Sequence, residues 1–461
     1  MFSIAGLLAL IVTIYLRPHS FIEAIRNAPL YEAFSGLAVV GVLLDVRLRI
    51  TRLQRTPQVR WVVALVLWSI LTLLIRAPRA LGGALSSMIT PLSVFAVIVE
   101  GVQSFTGLHL LTGTLVGSIS IVCLLMIHQG LSPFGCLVVK DVSPHGSLFA
   151  VPDGRPCVRR VDCEVQPDVE YVCERVGLLG ISSVAHGRVR YPGLLLDPNK
   201  LALGVGMAVP LFVALWELRR TLSRTILLAL FLVVAVACVY FTRSRSGIMV
   251  LAATLGIYVW RWYGWRGLVA AVGLFAPMVI FVLASRPDAA ASSTERHEIL
   301  AMGMQMFASS PLVGVGFGQF VAHYYMTAHN SYLLVLSELG LPGAFLWSGV
   351  VYVTFKMVLS GVRRYRNREE GAPAATWSLA LVTAMGGLMI GSLFLSMSYD
   401  VLFWLQLGLC GAFYLCTTGH DPAWRVRMEG RDFGLLALIN GALIAGLTWT
   451  TRGVAISGGP R

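Results

Sequence analysis

Two guanidinium groups stand in a short turn between apolar runs: Arg243 and Arg245, in Phe241-Thr-Arg-Ser-Arg-Ser-Gly247. Arginine beside hydrocarbon is costly if it only decorates a turn. One use of it is snorkelling to lipid headgroups. The other is to hold an anion in an internal cavity, because arginine grips phosphate bidentately and stays charged at any relevant pH. Arg188 and Arg190, in His186-Gly-Arg-Val-Arg-Tyr191, approach a second apolar run in the same way, and Arg296 opens the segment STERHEILAMGMQMFASS (293–310). A proton acceptor follows in His329-Asn330-Ser331-Tyr332, at the head of another apolar run. A lone histidine at a helix start is commonly structural. Here its neighbours are polar, and histidine is the side chain best poised to take or give a proton near neutral pH. Anion binding plus proton transfer is the chemistry these types can do. The paired carboxylates of glycoside hydrolysis are not evident beside them.

The elements that must position these residues are membrane helices. Of the 461 residues, 56% are hydrophobic and 13% charged, where a soluble domain carries about 25% charged residues. Apolar runs recur from end to end. With about 20 apolar residues needed per span, spans fall near 2–16, 31–46, 60–76, 82–100, 107–127, 197–216, 224–242, 246–261, 266–284, 331–358, 376–396, 399–417 and 433–450. The predicted fold class is all-α, a polytopic membrane helical bundle of about 12–13 spans with a large periplasmic loop. Met1–Leu16 has no basic n-region and no small-residue cleavage site, so it reads as a first span ended by Arg17-Pro18 rather than as a signal peptide.

Orientation follows the lysines and arginines of short loops. RLRITRLQRTPQVR (47–60), ELRRTLSR (217–224), the Trp260-Arg261/Trp265-Arg266 turn and the run Arg363, Arg364, Arg366, Arg368 all fall on one side if the N-terminus is cytoplasmic. The net charge of +13 is thus spread over loops, as a multispan protein needs, and nucleic acid is not an expected partner. Residues 128–196 and 285–330 then face the periplasm. The expected organisation is helices over 1–127, a cysteine-containing loop over 128–196, central helices over 197–284, a second loop with an amphipathic helix over 285–330, and C-terminal helices over 331–461.

Four of the eight cysteines, Cys136, Cys157, Cys163 and Cys173, lie in the first loop. An oxidising compartment favours two disulfides there, and four cysteines allow three pairings. Zinc is the weaker alternative, because the loop has no CxxC pair and His145 and His186 do not flank the cysteines at finger-like spacing. In the second loop, Ile299, Met302, Met306 and Phe307 recur at helical spacing and predict an amphipathic helix at the interface. Pro311-Leu-Val-Gly-Val-Gly-Phe-Gly318 follows. No strand precedes it and no Gly-Lys-Ser/Thr follows, so a glycine-permitted re-entrant turn is expected rather than a nucleotide site. Asp197-Pro198-Asn199 reads as a helix start. Leu339-Gly-Leu-Pro-Gly343, just after Glu338, bends or loosens its helix.

Taken together, PLVGVGFGQF…HNSYLLVLSELGLPGAFLW (311–347) resembles the signature region of the O-antigen ligase and polymerase superfamily. The SRSG turn (244–247), DPNKLA (197–202), YLRP (15–18) and Arg296 before PLVGVG match as well. The four-cysteine loop departs from the family pattern. The resemblance implies a membrane glycosyltransferase of the bacterial inner membrane, needing no metal and no cofactor. It would move an undecaprenyl-diphosphate-linked glycan to an acceptor hydroxyl, on lipid A-core for a ligase or on another lipid-linked repeat for a polymerase. The residues that the resemblance points to are Arg245 and Arg296 as diphosphate ligands and His329 as base or orienting group. Arg243, Arg188, Arg190, Asn330, Tyr332 and Arg17 are further substrate contacts. The alternatives are a flippase for the same lipid and a non-catalytic polysaccharide assembly protein.

Overall fold

The computed structural model describes residues 1–25, 28–142, 148–166, 168–181, 188–284, 289–366 and 371–452. His145, His186 and Arg368 lie outside these. The first helices are α1 (Phe2–Leu16), α2 (Leu30–Arg47), α3 (Pro57–Arg76), α4 (Leu81–Gly101) and α5 (Phe105–Leu131). Next come strands β1 (Phe134–Val142), β2 (Leu148–Pro156) and β3 (Tyr171–Arg175). The helices resume with α6 (Pro198–Glu217), α7 (Leu222–Thr242), α8 (Arg245–Ala284), α9 (Ala289–Ser309) and the short α10 (Phe320–His323). The chain ends with α11 (Ser331–Tyr365), α12 (Ala372–Ser392), α13 (Val401–His420) and α14 (Gly430–Thr451). Ten of the described helical segments are long and apolar enough to cross a membrane by length and composition. The three other expected spans also coincide with helices, 31–46 with α2 and 246–261 and 266–284 with the two parts of α8.

The break inside α8 is a reversal. Gly264 takes φ 64, ψ −161, a conformation only glycine adopts readily. A Cβ at Gly256 would come 3.6 Å from the Leu268 side chain, whereas twelve residues of straight helix span about 18 Å. The two parts therefore fold back on each other, as the two-span expectation requires. The break inside α11, at Gly340 (φ 65, ψ −168), is different. Along α3, Leu339 lies beside Trp68, Gly349 beside Trp61 and Thr354 beside Gln58. Helix α11 thus keeps running antiparallel to α3 on both sides of its break and crosses once.

The chain divides into two compact units, Met1–Ile4 with Ala38–Leu108 and Leu283–Arg461, and Ala5–Leu37 with His109–Val282. Within the first, contacts join the arginine-rich helix ends to one another. The Arg52 N–H donates to Gln103 at 3.3 Å, Arg364 pairs with Asp421 at 2.7 Å, and the Lys356 ammonium reaches the Arg427 carbonyl at 2.8 Å. At the other ends, Arg76 donates to Ser310 and Thr327 to Ser396. Each contact joins segments that the predicted alternation puts on one side. In the second unit, Arg261 pairs with Glu217 at 3.2 Å, while the Tyr191 hydroxyl donates to the Leu16 carbonyl at 2.6 Å. These follow the same rule.

The loop expected over 128–196 contains a three-stranded antiparallel sheet in the order β2-β1-β3, which the reading as a loop did not include. Disulfides Cys136–Cys163 and Cys157–Cys173 staple it. Cys136, Cys157, Cys163 and Tyr171 form its buried cluster. Arg175 at the end of β3 donates to the Gly130 and Ser132 carbonyls at 2.9 and 2.7 Å. Arg190 pairs with Glu174 at 3.7 Å, and the Arg190 N–H donates to Gln129 at 3.1 Å. The sheet is thereby tied to the C-terminal end of α5. The remaining cysteines, Cys123, Cys238, Cys410 and Cys416, are free and buried.

Candidate functional site

In the first unit the site is built around the start of α11. Asn330 is its N-cap: the side-chain oxygen accepts from the Leu333 N–H at 3.0 Å and the amide nitrogen donates to the Leu393 carbonyl at 3.1 Å. Such a cap stabilises a helix by about 1 kcal/mol. The Ser331 hydroxyl donates to Leu395 O at 2.6 Å and accepts from Met397 N at 2.7 Å. The Tyr332 hydroxyl donates to Met389 O at 3.2 Å. Asn330 and Tyr332, expected as substrate contacts, thus have their polar atoms engaged by the fold. What they hold in place is His329, half-buried, with φ 48. A non-glycine residue in that region is uncommon and is kept there by its surroundings.

Helix α9 brings Arg296 to the same neighbourhood. Ile299, Met302 and Met306 bury against Phe320, Ala328, Leu333 and Leu334, so the face of α9 packs on the residues flanking His329. Arg296 stands three residues before Ile299, hence on that face one turn nearer the helix start. The apolar face expected at a lipid interface is spent on protein instead. The start of α9 is fastened by Tyr325, whose hydroxyl donates to Glu295 at 2.7 Å.

The glycine-rich segment joins these two helices, and it is not a phosphate cradle. Its amides are committed to α11. Val315 N–H donates to Ser337 O at 3.0 Å and Gly316 N–H to Glu338 O at 2.9 Å. The Glu338 carboxyl accepts from Gly318 N–H and Phe320 N–H, both at 2.9 Å. The break at Gly340 frees the carbonyls that the loop takes up, and Trp68 takes the Leu339 carbonyl at 2.8 Å. In return Leu341 N–H donates to Pro311 O at 2.8 Å. Gly314 and Gly340, both at φ near 70, sit against opposite backbone strands of this clasp, and a Cβ at Gly340 would lie 2.5 Å from the Leu312 carbonyl. The expected glycine-permitted turn is present, and Glu338 is what fastens it.

In the second unit the SRSG and DPNKLA motifs meet. Asn199 Oδ1 accepts from the Ser244 hydroxyl at 2.8 Å and from the Arg188 guanidinium at 3.1 Å, and Arg188 also donates to Thr242 O at 3.0 Å. Asp197 caps α6 through the Asn199 N–H at 2.8 Å. A Cβ on Gly247 would collide with Ala202, so the glycine lets α8 approach α6. Arg243, exposed, ends α7 at φ 48, ψ 34. Arg245 opens α8, half-buried, and its guanidinium makes no hydrogen bond or ion pair with any described residue. Arg17 adopts φ 45, ψ 58 and packs against Gly193, where a side chain would displace it. The neighbouring Tyr191 hydroxyl is pushed up to about 12 by burial, so it stays a neutral donor to the Leu16 carbonyl. Arg190, largely enclosed and paired with Glu174, is a sheet anchor.

The first unit therefore carries Arg296 and His329, and the second Arg17, Arg188, Arg243 and Arg245. Sequence reasoning gave Glu338 no role, because its partners are backbone amides 18 and 20 residues away. It also passed over Arg76, which ends α3 beside Gly316 and donates to Ser310. Its signal was an arginine at the poorly charged end of a span. No curated protein matches the chain. Residues 230–348 match the family described as O-Antigen ligase. That stretch, a minor part of this multi-pass membrane chain, holds the SRSG turn, Arg296, the glycine clasp and the HNSY and ELGLPG blocks, and it is there that the chain is similar to O-antigen ligases.

Proposed function

We propose that the chain is an inner-membrane glycosyltransferase that moves a glycan from undecaprenyl diphosphate to an acceptor hydroxyl at the periplasmic face, as a polymerase or a ligase. The observation that carries this reading is the packing of α9 on the residues flanking His329, within a stretch of O-antigen ligase type. In the reaction the bond from the sugar to the diphosphate breaks and a bond to the acceptor oxygen forms. The acceptor proton passes to His329, or His329 orients the hydroxyl. The lipid diphosphate leaves with growing charge, which a guanidinium stabilises most in the transition state; Arg296 of the first unit and Arg245 of the second are each proposed for that role. The unengaged Arg245 guanidinium suits such a ligand, and Arg243, Arg188 and Arg17 are secondary contacts. Asn330, Tyr332 and Arg190 act by holding the scaffold.

A transporter of the same lipid would use broken-helix backbone groups to bind its cargo. Here the carbonyls freed at Gly340 are taken up by the glycine loop and Trp68, which favours transfer over transport. The test is glycan transfer by purified protein reconstituted with lipid-linked glycan. His329→Ala and Arg296→Ala should each lower the rate by about 10²–10³, the usual cost of one transition-state group. Full activity in both variants rules the assignment out. Glycan profiles of a deletion strain separate the two acceptors. Single repeats mark a lost polymerase, and long lipid-linked chains that never reach the surface anchor mark a lost ligase.

A further inference from the structure

The arginine-rich ends of the first unit enclose a cavity of about 710 Å³. Its lining includes Arg55 and Arg60 from the start of α3 and Arg425 and Arg427 from the segment between α13 and α14, together with Trp61 and Phe433. The second pair is presented by a fixed strip of extended chain. Trp424 and Val426 are buried, while Arg425 and Arg427 point out between and beyond them. Trp424 packs on Tyr365, Phe413 and Tyr414, and the Arg427 carbonyl holds Lys356.

Four guanidinium groups around one cavity need counter-charge, and none of the described residues pairs with them. Neither Arg55, Arg60, Arg425 nor Arg427 forms an ion pair with a described residue. The nearby acids are engaged elsewhere: Asp432 by Lys356 and Tyr352, Asp421 by Arg364 and Tyr365, and Glu429 by Arg431. The start of α3 adds to the positive field. Pro57 is its first residue and the Thr56 side chain makes no cap hydrogen bond, so the positive end of the helix dipole lies at the cavity rim, although the Val59 N–H is taken by the Thr56 carbonyl at 3.2 Å. Trp61, packed against Phe345 and Phe433, gives the cavity one apolar wall.

We propose that this cavity binds a phosphate group, borne by an anionic lipid headgroup or by a soluble phosphate or diphosphate. Arginine forks match phosphate oxygens bidentately, and basic pockets between membrane helices are a known mode of headgroup binding. The site is separate from Arg296 and His329, which belong to the opposite helix ends of the same unit.

The full-length protein in phosphatidylcholine nanodiscs provides the test, with cardiolipin added to the bilayer in one arm and pyrophosphate to the buffer in the other. Cardiolipin retention is read by native mass spectrometry and pyrophosphate binding by the melting midpoint. Arg425→Gln with Arg427→Gln, and Arg55→Gln with Arg60→Gln, should weaken binding about tenfold or more, and salt should weaken it further. Arg49→Gln with Arg52→Gln removes two charges from the same loop outside the cavity and should leave binding unchanged. Retention of cardiolipin with this pattern identifies a headgroup site. A pyrophosphate response with this pattern identifies a soluble ligand. Absence of both, or equal loss in the Arg49/Arg52 pair, overturns the proposal. Should a glutamine pair fail to fold, Arg425→Lys with Arg427→Lys keeps the charge and loses the fork. That pair should bind several-fold more weakly, and unchanged binding counts against the site.

Discussion

Glu338 is the residue whose importance is least visible in the chain. It lies in the middle of an apolar run and contacts no other charged group. Its carboxyl instead closes on two amides of the glycine segment, Gly318 and Phe320. Glu338→Ala should leave the buried Phe320 N–H unanswered, at about 1–3 kcal/mol, while the N–H of the exposed Gly318 can turn to solvent. Glu338→Gln keeps one acceptor oxygen and should lose about half as much. Melting midpoints of the two variants in detergent check the ranking, and equal midpoints in wild type and Glu338→Ala would count against the clasp. By contrast His329, Arg296 and Arg245 are candidates that type and position alone single out. A lone histidine and arginines at the poorly charged face of a membrane protein stand out by their cost. Asn330 and Tyr332 have their polar atoms engaged by the fold, which the sequence could not show, because a cap and a buried hydroxyl use the same residue types as a binding site.

Among the elements, the helices were the most readable, since about 20 apolar residues announce a span wherever they occur. The sheet was not. Strand β1, Phe-Gly-Cys-Leu-Val-Val-Lys-Asp-Val, has no clean alternation, and its pairing with β2 and β3 is set by register across turns rather than by local pattern. The two internal breaks were foreshadowed by glycine, but their opposite outcomes were not. Gly264 reverses the chain, while Gly340 lets one helix continue past a seam. At that seam any side chain is doubly penalised. Gly340→Ala meets both a positive-φ conformation that is almost restricted to glycine, costing about 1–3 kcal/mol, and the Leu312 carbonyl. Lower yield and a melting midpoint depressed by several degrees are expected, with Gly386→Ala, where a Cβ meets nothing within 4 Å, as the neutral comparison. An unchanged midpoint for Gly340→Ala would mean that the seam relaxes freely.

For the molecule as a whole, alternation of charged and uncharged loops predicted which ends share a side, and the polar contacts within each unit join only ends so grouped. That agreement rests on hydrogen bonds the sequence could not show, so it is an independent support for the topology. The disulfides also bear on how the protein is made. In chain order the four cysteines are joined first to third and second to fourth. An oxidase that paired thiols strictly in the order they emerged would join Cys136 to Cys157 and Cys163 to Cys173, neither of them a native pair. Under such pairing, maturation is expected to need a shuffling step by a thiol isomerase before the sheet is locked. In cells lacking such an activity, non-reducing digests should reveal the Cys136–Cys157 link and the protein should be cleared by proteolysis. Native pairing at normal abundance in those cells would show that the sheet folds before it is oxidised, with the strands choosing the partners.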